Sequence, residues 1–337
     1  MKEIIIKLGK IAISGILAVA LLSIVCLVYS YNMLGIPTPT GASSYSCVPG
    51  SLKSEMDEGF GWNVMDANGY NNDEAYDDID VLIMGGSHIE ALQMNRSENV
   101  THKLDEMLPN YHVYNVGTSG QSIENCAYYL DNACGYFSPR YVVIDLNSLE
   151  LNEDNMNSVI SGTYQGPELL SQKSNLASLV RNYIPASGQL ILQLQNWKNI
   201  GCFRDDTEEG DGSSLYHDSS YMGVMSDFLR YIGDIAKEHD TQLILLYHPA
   251  NYDVSETGGG KLTFDDETYE WEIFQKLCEE NDIVLVSTKD EYIRMYKEDH
   301  VVPNGFSNTR LGSGHINKYG HTAMANVLYE TIKDLED

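Results

Sequence analysis

Positive charge is scarce in this sequence. Its 337 residues include 21 Lys and Arg against 49 Asp and Glu, which gives a formal net charge of −28 at pH 7. A surface of this sign repels phosphate backbones and anionic lipid headgroups, so the composition excludes a nucleic-acid-binding protein. It also repels polyanionic polymers unless a local basic site or bound cations intervene, and it favours neutral or cationic substrates.

Several short motifs are missing as well. Six cysteines occur without a CxxC pair, which argues against a zinc knuckle or a thioredoxin-type site. There is no GxGxxG loop for a dinucleotide, and the GxSxG elbow of α/β-hydrolases is absent because Ile89 stands where its last glycine would be. What remains is a folded chain, 43% hydrophobic, with the length of one large α/β domain or two ordinary ones.

One long stretch near the N-terminus carries no charge. Residues 11–29 are uncharged, and such a run of about 19 residues is long enough to cross a bilayer as a helix. Lys2, Lys7 and Lys10 lie before it, so the positive-inside rule places the N-terminus in the cytoplasm and the C-terminal domain outside. We predict a cytoplasmic tip and transmembrane anchor over residues 1–31. A cleaved signal peptide is the alternative, but its apolar core is usually shorter.

Residues 32–78 are rich in Pro, Gly, Ser, Asn and Asp and show little periodicity, which is typical of a stalk or linker. Short apolar runs then alternate with helical patterns from residue 79 to 337. The five predicted strands cover 79–85, 111–117, 141–148, 242–249 and 282–288. This alternation predicts a doubly wound parallel sheet, interrupted by an insertion at about 149–220 that contains helical stretches near 168–182 and 188–199.

In such a sheet, ligands bind beyond the carboxyl ends of the strands, so the loops there are the candidate site. Ser87 follows two glycines after the first strand, where its hydroxyl could act as a nucleophile or simply cap a helix. The NVGTSG loop that contains Gly120 suits a turn with outward N–H groups, although a plain turn has the same composition. Asn147, after the third strand, could donate to an oxyanion or form a turn, and Asn152 competes for that role.

The last glycine-rich loop holds two histidines. His315 lies just before the final helix, on the sheet edge where Ser87 is expected, and is the candidate general base. His321 falls inside that helix, which favours a structural role. A zinc site would need a third ligand of convincing spacing, and the sequence shows none, so we expect no metal.

Together these loops resemble the four sequence blocks of the SGNH/GDSL hydrolase superfamily. The matching segments are MGGSH with Ser87, NVGTSG with Gly120, DLNS with Asn147 and GHINKYGH with His315. The resemblance spans roughly residues 79–337 without the insertion. It implies a flavodoxin-like three-layer α/β/α sandwich, a Ser87–His315 catalytic pair, and an oxyanion hole formed by Ser87, Gly120 and Asn147. It implies no metal or organic cofactor.

One position departs from the family pattern. The family usually has an Asp three residues before the His, where this chain has Gly312. Three arrangements can replace it: a Ser–His dyad, a carboxylate from elsewhere such as Asp299, or a backbone carbonyl that holds the imidazole tautomer. Loss of the Asp could also mean a crippled enzyme, because the orienting carboxylate contributes strongly to turnover in serine proteases.

The resemblance and the predicted topology imply an extracytoplasmic acyl esterase or O-acyltransferase that acts on O-acetyl groups of surface polysaccharide. A lipase or thioesterase on small acyl esters is one alternative, and it predicts an apolar acyl pocket in the insertion. A non-catalytic binding module in a cell-surface assembly is the other, and Gly312 is the feature that supports it.

Overall fold

The computed structural model describes residues 2–32, 35–55, 58–76, 78–166, 214–249, 253–254, 262–263, 268–312 and 314–337. Helix α1 covers Lys2–Asn32 and includes the predicted membrane anchor. The large apolar side chains described in its first two-thirds, from Ile4 to Leu21, are 54–69% exposed. Within the described residues, no helix combines the length and the apolar character that a bilayer crossing requires.

The central sheet has five strands, all parallel: β5 (Val81–Met84), β6 (Val113–Asn115), β7 (Tyr141–Leu146), β8 (Gln242–Tyr247) and β11 (Val284–Ser287). Their order across the sheet is β11-β8-β7-β5-β6. The prediction of a doubly wound five-stranded parallel sheet is therefore confirmed. The order reverses between β5 and β7, and ligands bind in the crevice at such a switch point.

Both faces of the sheet are covered, which explains why the strands are continuous apolar runs. In β5, Leu82 and Met84 belong to one hydrophobic cluster, whereas Val81 and Ile83 belong to another. Successive side chains of a strand point to opposite faces, so the two clusters lie on the two sides of the sheet. The three-layer α/β/α arrangement follows from this division.

The helices provide the outer layers. They are α2 (Ser87–Glu90), α3 (Val100–Met107), α4 (Ile123–Phe137), α5 (Glu153–Ile160), α6 (Ser219–Glu238), α7 (Thr268–Glu279), α8 (Lys289–Asp299) and α9 (Lys318–Glu336). Leu104 of α3 and Leu328 of α9 pack on one face, and Leu130 of α4 and Phe228 of α6 pack on the other. Helix α8 was not predicted, because its strongly polar sequence presents little apolar periodicity.

The segment predicted as a stalk differs from that expectation. It forms two short antiparallel pairs, β1 (Gly35–Ile36) with β2 (Ser46–Cys47) and β3 (Leu52–Glu55) with β4 (Gly61–Val64). Ala42 and Tyr70 are buried in the main core cluster. The hydroxyl of Tyr114 in β6 donates to Asp66 at 2.5 Å, so the segment is attached to the sheet by polar bonds as well.

Most of the predicted insertion, including both of its predicted helical stretches, lies outside the described residues. Hydrogen bonds hold the described residues at its two ends next to each other. Leu151 N donates to Tyr221 Oη at 2.7 Å, and Tyr216 Oη donates to Leu149 O at 2.7 Å. A further short pair, β9 (Asp253–Val254) with β10 (Leu262–Thr263), follows β8.

Candidate active site

Ser87 is the first residue of α2, directly after the turn that leaves β5. Gly86 occupies the N-cap position before it. A Cβ at Gly86 would lie only 2.7 Å from Gln121 O. A glycine is therefore required to bring the loop after β6 against the loop that carries Ser87. Gly85 is confined as well, because a Cβ there would lie 2.5 Å from Ile89 Cγ1 and 2.6 Å from Asp145 Cβ.

His315 is brought to Ser87 by the last loop. Its Nε2 lies 2.8 Å from Ser87 Oγ, within hydrogen-bond range for a nucleophile and its base. Asn317 holds this loop in place. Its side-chain amide donates to Val302 O at 2.8 Å and to Gly305 O at 2.9 Å, and its Oδ1 caps the N-terminus of α9. The two residues predicted as a catalytic pair are thus in contact, although they are 228 positions apart in the sequence.

Glu58 supplies the carboxylate. Its Oε2 lies 2.5 Å from His315 Nδ1, and its Oε1 accepts from His315 N at 2.8 Å. The two bonds hold the imidazole so that its Nε2 faces the serine. Gly59 N donates to Asn308 Oδ1 at 2.8 Å, which ties the turn after Glu58 to the same loop. The side chain of Glu58 is 17% exposed, so water screens this pair only partly.

The sequence did not reveal Glu58. It lies 257 residues before His315, in the segment predicted as a stalk, and nothing local sets it apart from the other 48 acidic residues. The sequence suggested Asp299 as this carboxylate, and that suggestion is wrong. Asp299 lies at the exposed end of α8, where its Oδ2 is 3.4 Å from Arg294 Nη1. Gly312 has a φ of +76°, a backbone conformation that an Asp side chain adopts rarely.

The three predicted oxyanion-hole residues line one cavity. This cavity has a volume of about 320 Å³, and Ser87, Gly120 and Asn147 all contribute to its wall. Gly120 has a φ of +85° with open space where a Cβ would point, so the loop presents bare backbone there. Asn147 is exposed, which leaves its amide free to turn toward a ligand. Asn152, the competing candidate, instead caps α5 by accepting from Asn155 N.

Buried polar side chains hold the Gly120 loop in place. Glu90 accepts from Ser119 N at 2.9 Å and from the Ser119 hydroxyl. Burial raises the pKa of Glu90, although the bonds from Ser119 favour its ionised form. Asn115 spans the neighbouring turn, donating to Ile89 O at 2.6 Å and accepting from Gly117 N at 2.7 Å. These bonds fix the loop after β6 relative to α2, and with it the position of Gly120 relative to Ser87.

Three potential metal ligands converge beside the serine. They are His88, Asp145 and His248, whose ligand atoms all lie within 4.8 Å of one another. Burial lowers the pKa of His88 to about 3, and His248 adds to that effect. Burial opposes ionisation of Asp145, but the adjacent His248 outweighs it and lowers the pKa of this carboxyl. Sequence spacing could not show this cluster, because its members lie at the ends of three different strands.

His321 is fully buried in α9. Its Nδ1 accepts from Val100 N at 3.1 Å, which connects α9 to the start of α3. Burial, followed by the proximity of His88, lowers its pKa to about 3, so the ring is neutral in the folded protein at neutral pH. This geometry gives His321 a structural contact rather than a place next to Ser87.

No protein-family model matches the chain, and no curated protein matches it. Among solved structures, an acetyl xylan esterase is similar, with 13% identity, 75% of this chain and 100% of that chain covered, and a TM-score of 0.41. The periplasmic domain of a lipopolysaccharide acetyltransferase from Salmonella ser. Paratyphi A has 13% identity, covers 76% and 84%, and has a TM-score of 0.41. A GDSL-like lipase from Bacteroides thetaiotaomicron has 13% identity, covers 76% and 88%, and has a TM-score of 0.34.

The contacts within this chain carry the assignment of the site. Its strands follow the flavodoxin-like order, and the Ser, Gly and Asn blocks line one cavity. His315 reaches Ser87 from the last loop, with Glu58 behind the imidazole. This strand order and these contacts agree with what the sequence resemblance to the SGNH/GDSL hydrolase superfamily implied for the fold and for the Ser87–His315 pair.

Proposed function

We propose that this chain is a serine acyl esterase or O-acyltransferase whose catalytic residues are Ser87, His315 and Glu58. The observation that carries the proposal is the continuous contact from Glu58 Oε2 to His315 Nδ1 at 2.5 Å and from His315 Nε2 to Ser87 Oγ at 2.8 Å. A nucleophile, a base and an orienting carboxylate in this sequence of contacts define the serine-hydrolase arrangement on any fold.

The reaction begins when Ser87 Oγ attacks the ester carbonyl and His315 Nε2 takes its proton. Glu58 accepts from Nδ1–H throughout, which holds the tautomer and stabilises the imidazolium that forms. The tetrahedral oxyanion accepts hydrogen bonds from the backbone N–H groups of Ser87 and Gly120 and from the Asn147 amide. When the intermediate collapses, His315 returns the proton to the leaving alcohol and an acyl-enzyme remains.

The second half of the reaction decides between hydrolysis and transfer. His315 takes a proton from water or from an acceptor hydroxyl, whose oxygen attacks the acyl-enzyme carbonyl. The second tetrahedral intermediate then releases Ser87 Oγ, which regains its proton from His315. Water yields a free acid, whereas an acceptor hydroxyl yields a new ester.

The walls of the cavity favour a small acyl group on a hydroxyl-rich partner. Besides the oxyanion-hole residues, the cavity is lined by polar side chains, among them Gln121, Glu124 and Glu150, together with the apolar Ile123, Leu146 and Leu151. A second cavity formed by the described residues, about 890 Å³ in volume and more apolar, is lined by residues such as Phe60 and Phe306 and includes neither Ser87 nor His315 in its walls. Among the described residues, the nucleophile therefore has no large apolar channel for a long acyl chain, which favours a short acyl group. Most of the insertion, where the lipase alternative predicts its acyl pocket, lies outside the described residues.

Acetyl groups on a carbohydrate are accordingly the substrate we propose. For the cellular location, the argument comes from the sequence: the uncharged run over 11–29, preceded by three lysines, favours an anchored chain with its C-terminal domain outside the cytoplasm. Protease treatment of intact cells that express the full chain with a C-terminal tag tests the location. Loss of the tag before lysis supports it, and complete protection contradicts it.

The enzymatic proposal is tested with the purified full chain. We expect a fluorophosphonate probe to label the wild type, Ser87→Ala to remain unlabelled, and His315→Ala to label far more slowly. Ser161→Ala is the matched control, because Ser161 is an exposed serine that bonds only to neighbouring residues. Hydrolysis of p-nitrophenyl acetate should follow the same order and exceed that of the palmitate ester. Absence of both Ser87-dependent labelling and acetyl-ester activity would refute an esterase and leave the binding-module alternative.

A further inference from the structure

Two histidines and an aspartate form a partly buried cluster next to Ser87, and the proposed acyl-transfer reaction does not use them. His88 follows Ser87 in α2, Asp145 lies near the end of β7, and His248 comes directly after β8. Strands β5, β7 and β8 are neighbours in the sheet, so the three side chains meet at its carboxyl edge. The cluster thus lies at the switch-point edge, where this fold binds ligands.

The separations within the cluster suit a metal ion. His248 Nε2 lies 2.8 Å from Asp145 Oδ1 and 3.3 Å from His88 Nδ1, and no pair of ligand atoms is further apart than 4.8 Å. A point equidistant from three atoms so spaced lies within about 2.5 Å of each, against about 2.0–2.2 Å for Zn²⁺–N and Zn²⁺–O bonds. Small side-chain rotations therefore complete the coordination without any movement of the backbone.

Hydrogen bonding alone leaves the cluster incomplete. His248 Nε2 carries at most one proton, and it has two neighbours: His88 Nδ1 at 3.3 Å and Asp145 Oδ1 at 2.8 Å. The side chain of Asp145 is only 7% exposed, so water does little to satisfy its Oδ1 when that proton points to His88. A buried carboxylate oxygen without a donor is costly, and a cation among the three atoms would satisfy all of them.

We propose that His88 Nδ1, His248 Nε2 and Asp145 Oδ1 bind a divalent transition-metal ion, with Zn²⁺ as the best fit. Two imidazoles and one carboxylate are the ligand types that Zn²⁺ accepts, and three protein ligands leave a coordination position open. His88 and Asp145 line the same cavity as Ser87 and Asn147, so the open position faces the substrate space. It would hold a water molecule or an oxygen atom of the ligand in that cavity.

The buried surroundings fit this role. His248 is 1% exposed, so its ring is held in one orientation, while His88 packs edge-on against the His315 ring at a centroid distance of 5.4 Å. The ion would therefore lie close to the catalytic base without sharing a ligand with it. Metal binding does not require the esterase reaction, and either proposal can fail without the other.

The test uses the full chain after dialysis against EDTA, with Zn²⁺ added in a calorimeter and Co²⁺ added in a spectrophotometer. We expect one Zn²⁺ per chain with a Kd at or below the micromolar range, and Co²⁺ d–d absorption bands typical of four-coordinate nitrogen and oxygen ligation. His248→Ala and the isosteric Asp145→Asn should each weaken Zn²⁺ binding at least a hundredfold. Ser87→Ala should bind Zn²⁺ as the wild type does, although it lacks labelling by fluorophosphonate.

His217→Ala is the control, because His217 is an exposed histidine that packs against Tyr269 and lies outside the cluster. Absence of stoichiometric Zn²⁺ binding by the wild type would overturn the proposal. So would unchanged affinity in a folded Asp145→Asn variant, since the ion would then bind elsewhere. If His248→Ala fails to fold, as circular dichroism would show, the Co²⁺ spectrum of the wild type and the Asp145→Asn affinity still decide the question.

Discussion

Glu58 shows how much one side chain can contribute from a distant part of the sequence. Its two oxygens contact the Nδ1 and the backbone N of His315, so it fixes both the ring and the loop that carries it. In the proposed reaction, the negative charge next to Nδ1 would also offset the positive charge that the imidazole gains when it takes the Ser87 proton. The side chain thus has a positional role and an electrostatic role in the same reaction step.

We expect Glu58→Gln to lower kcat on p-nitrophenyl acetate by about 10²- to 10⁴-fold with little change in KM, because the amide cannot stabilise the imidazolium and can favour the wrong tautomer. Asp299→Asn should leave kcat within about two-fold, since that carboxylate pairs with Arg294 at the surface. Steady-state kinetics of the two variants compares the acid found in the structure with the one suggested by the sequence. Equal kcat values for the two variants would contradict the role of Glu58.

Single residues also show what the sequence could and could not predict. Ser87 and His315 were predictable because each lies in a short glycine-rich loop after an apolar run. Such local patterns can be recognised in the sequence without knowledge of the fold. Glu58 was not predictable, because a carboxylate in a polar segment has the same local signature whether it faces solvent or an imidazole. The cluster of His88, Asp145 and His248 was not predicted either, because these residues are far apart in the sequence and close together only in the folded protein.

At the scale of elements, the loop before α9 is shaped by two glycines with positive φ. Gly312 has a φ of +76° and Gly314 a φ of +79°, so both are in the left-handed region. They differ in what a side chain would meet: a Cβ at Gly312 has open space, whereas one at Gly314 would overlap Glu58 Oε1. The two positions therefore separate backbone strain from contact with the carboxylate.

We expect Gly312→Ala and Gly314→Ala to lose about 1 kcal/mol of stability each from the left-handed backbone, but only Gly314→Ala to lose most of its kcat. The added methyl group must displace Glu58 from His315, which removes the orienting bond. Thermal unfolding and ester hydrolysis, measured on both variants, test this difference. A Gly314→Ala variant with the activity of Gly312→Ala would show that Glu58 can move without consequence.

The elements of the sheet were well predicted, whereas those at its margins were not. All five core strands were predicted because a strand buried on both faces is a continuous apolar run, a signal that requires no partner to be seen. Helix α8 and the pairs β1–β2 and β3–β4 were missed, because short or mostly polar elements depend on tertiary contacts for their formation. The candidate stalk was misread through this same limitation.

At the scale of the whole molecule, the buried histidine His321 makes stability depend on pH. Its pKa of about 3 in the folded protein lies below its ordinary value of 6.5. Between pH 3 and pH 6.5, this histidine therefore binds a proton in the unfolded chain but not in the folded protein. Stability contributed by the neutral ring is fully present above pH 6.5 and decreases as the pH falls toward 3.

We expect His321→Asn to be less stable than the wild type at pH 7, because it loses packing in α9. Its free energy of unfolding should nevertheless fall less steeply between pH 6.5 and pH 4, by up to about 1.4 kcal/mol per pH unit. Urea denaturation with EDTA present, at several pH values in this range, gives the two slopes. His217→Asn, at an exposed position, should keep the wild-type slope, and equal slopes for all three proteins would rule out His321 as the titrating group.

The distance along the chain between the partners of His315 has a consequence for biosynthesis. Glu58 is synthesised before Ser87, and His315 follows 257 positions after the carboxylate it contacts. No nascent chain that lacks its last loop can have an assembled base, whatever else has folded. Ser87 thus remains without its base until the loop that carries His315 has been synthesised, so the chain cannot act on ester-bearing molecules that it meets before then.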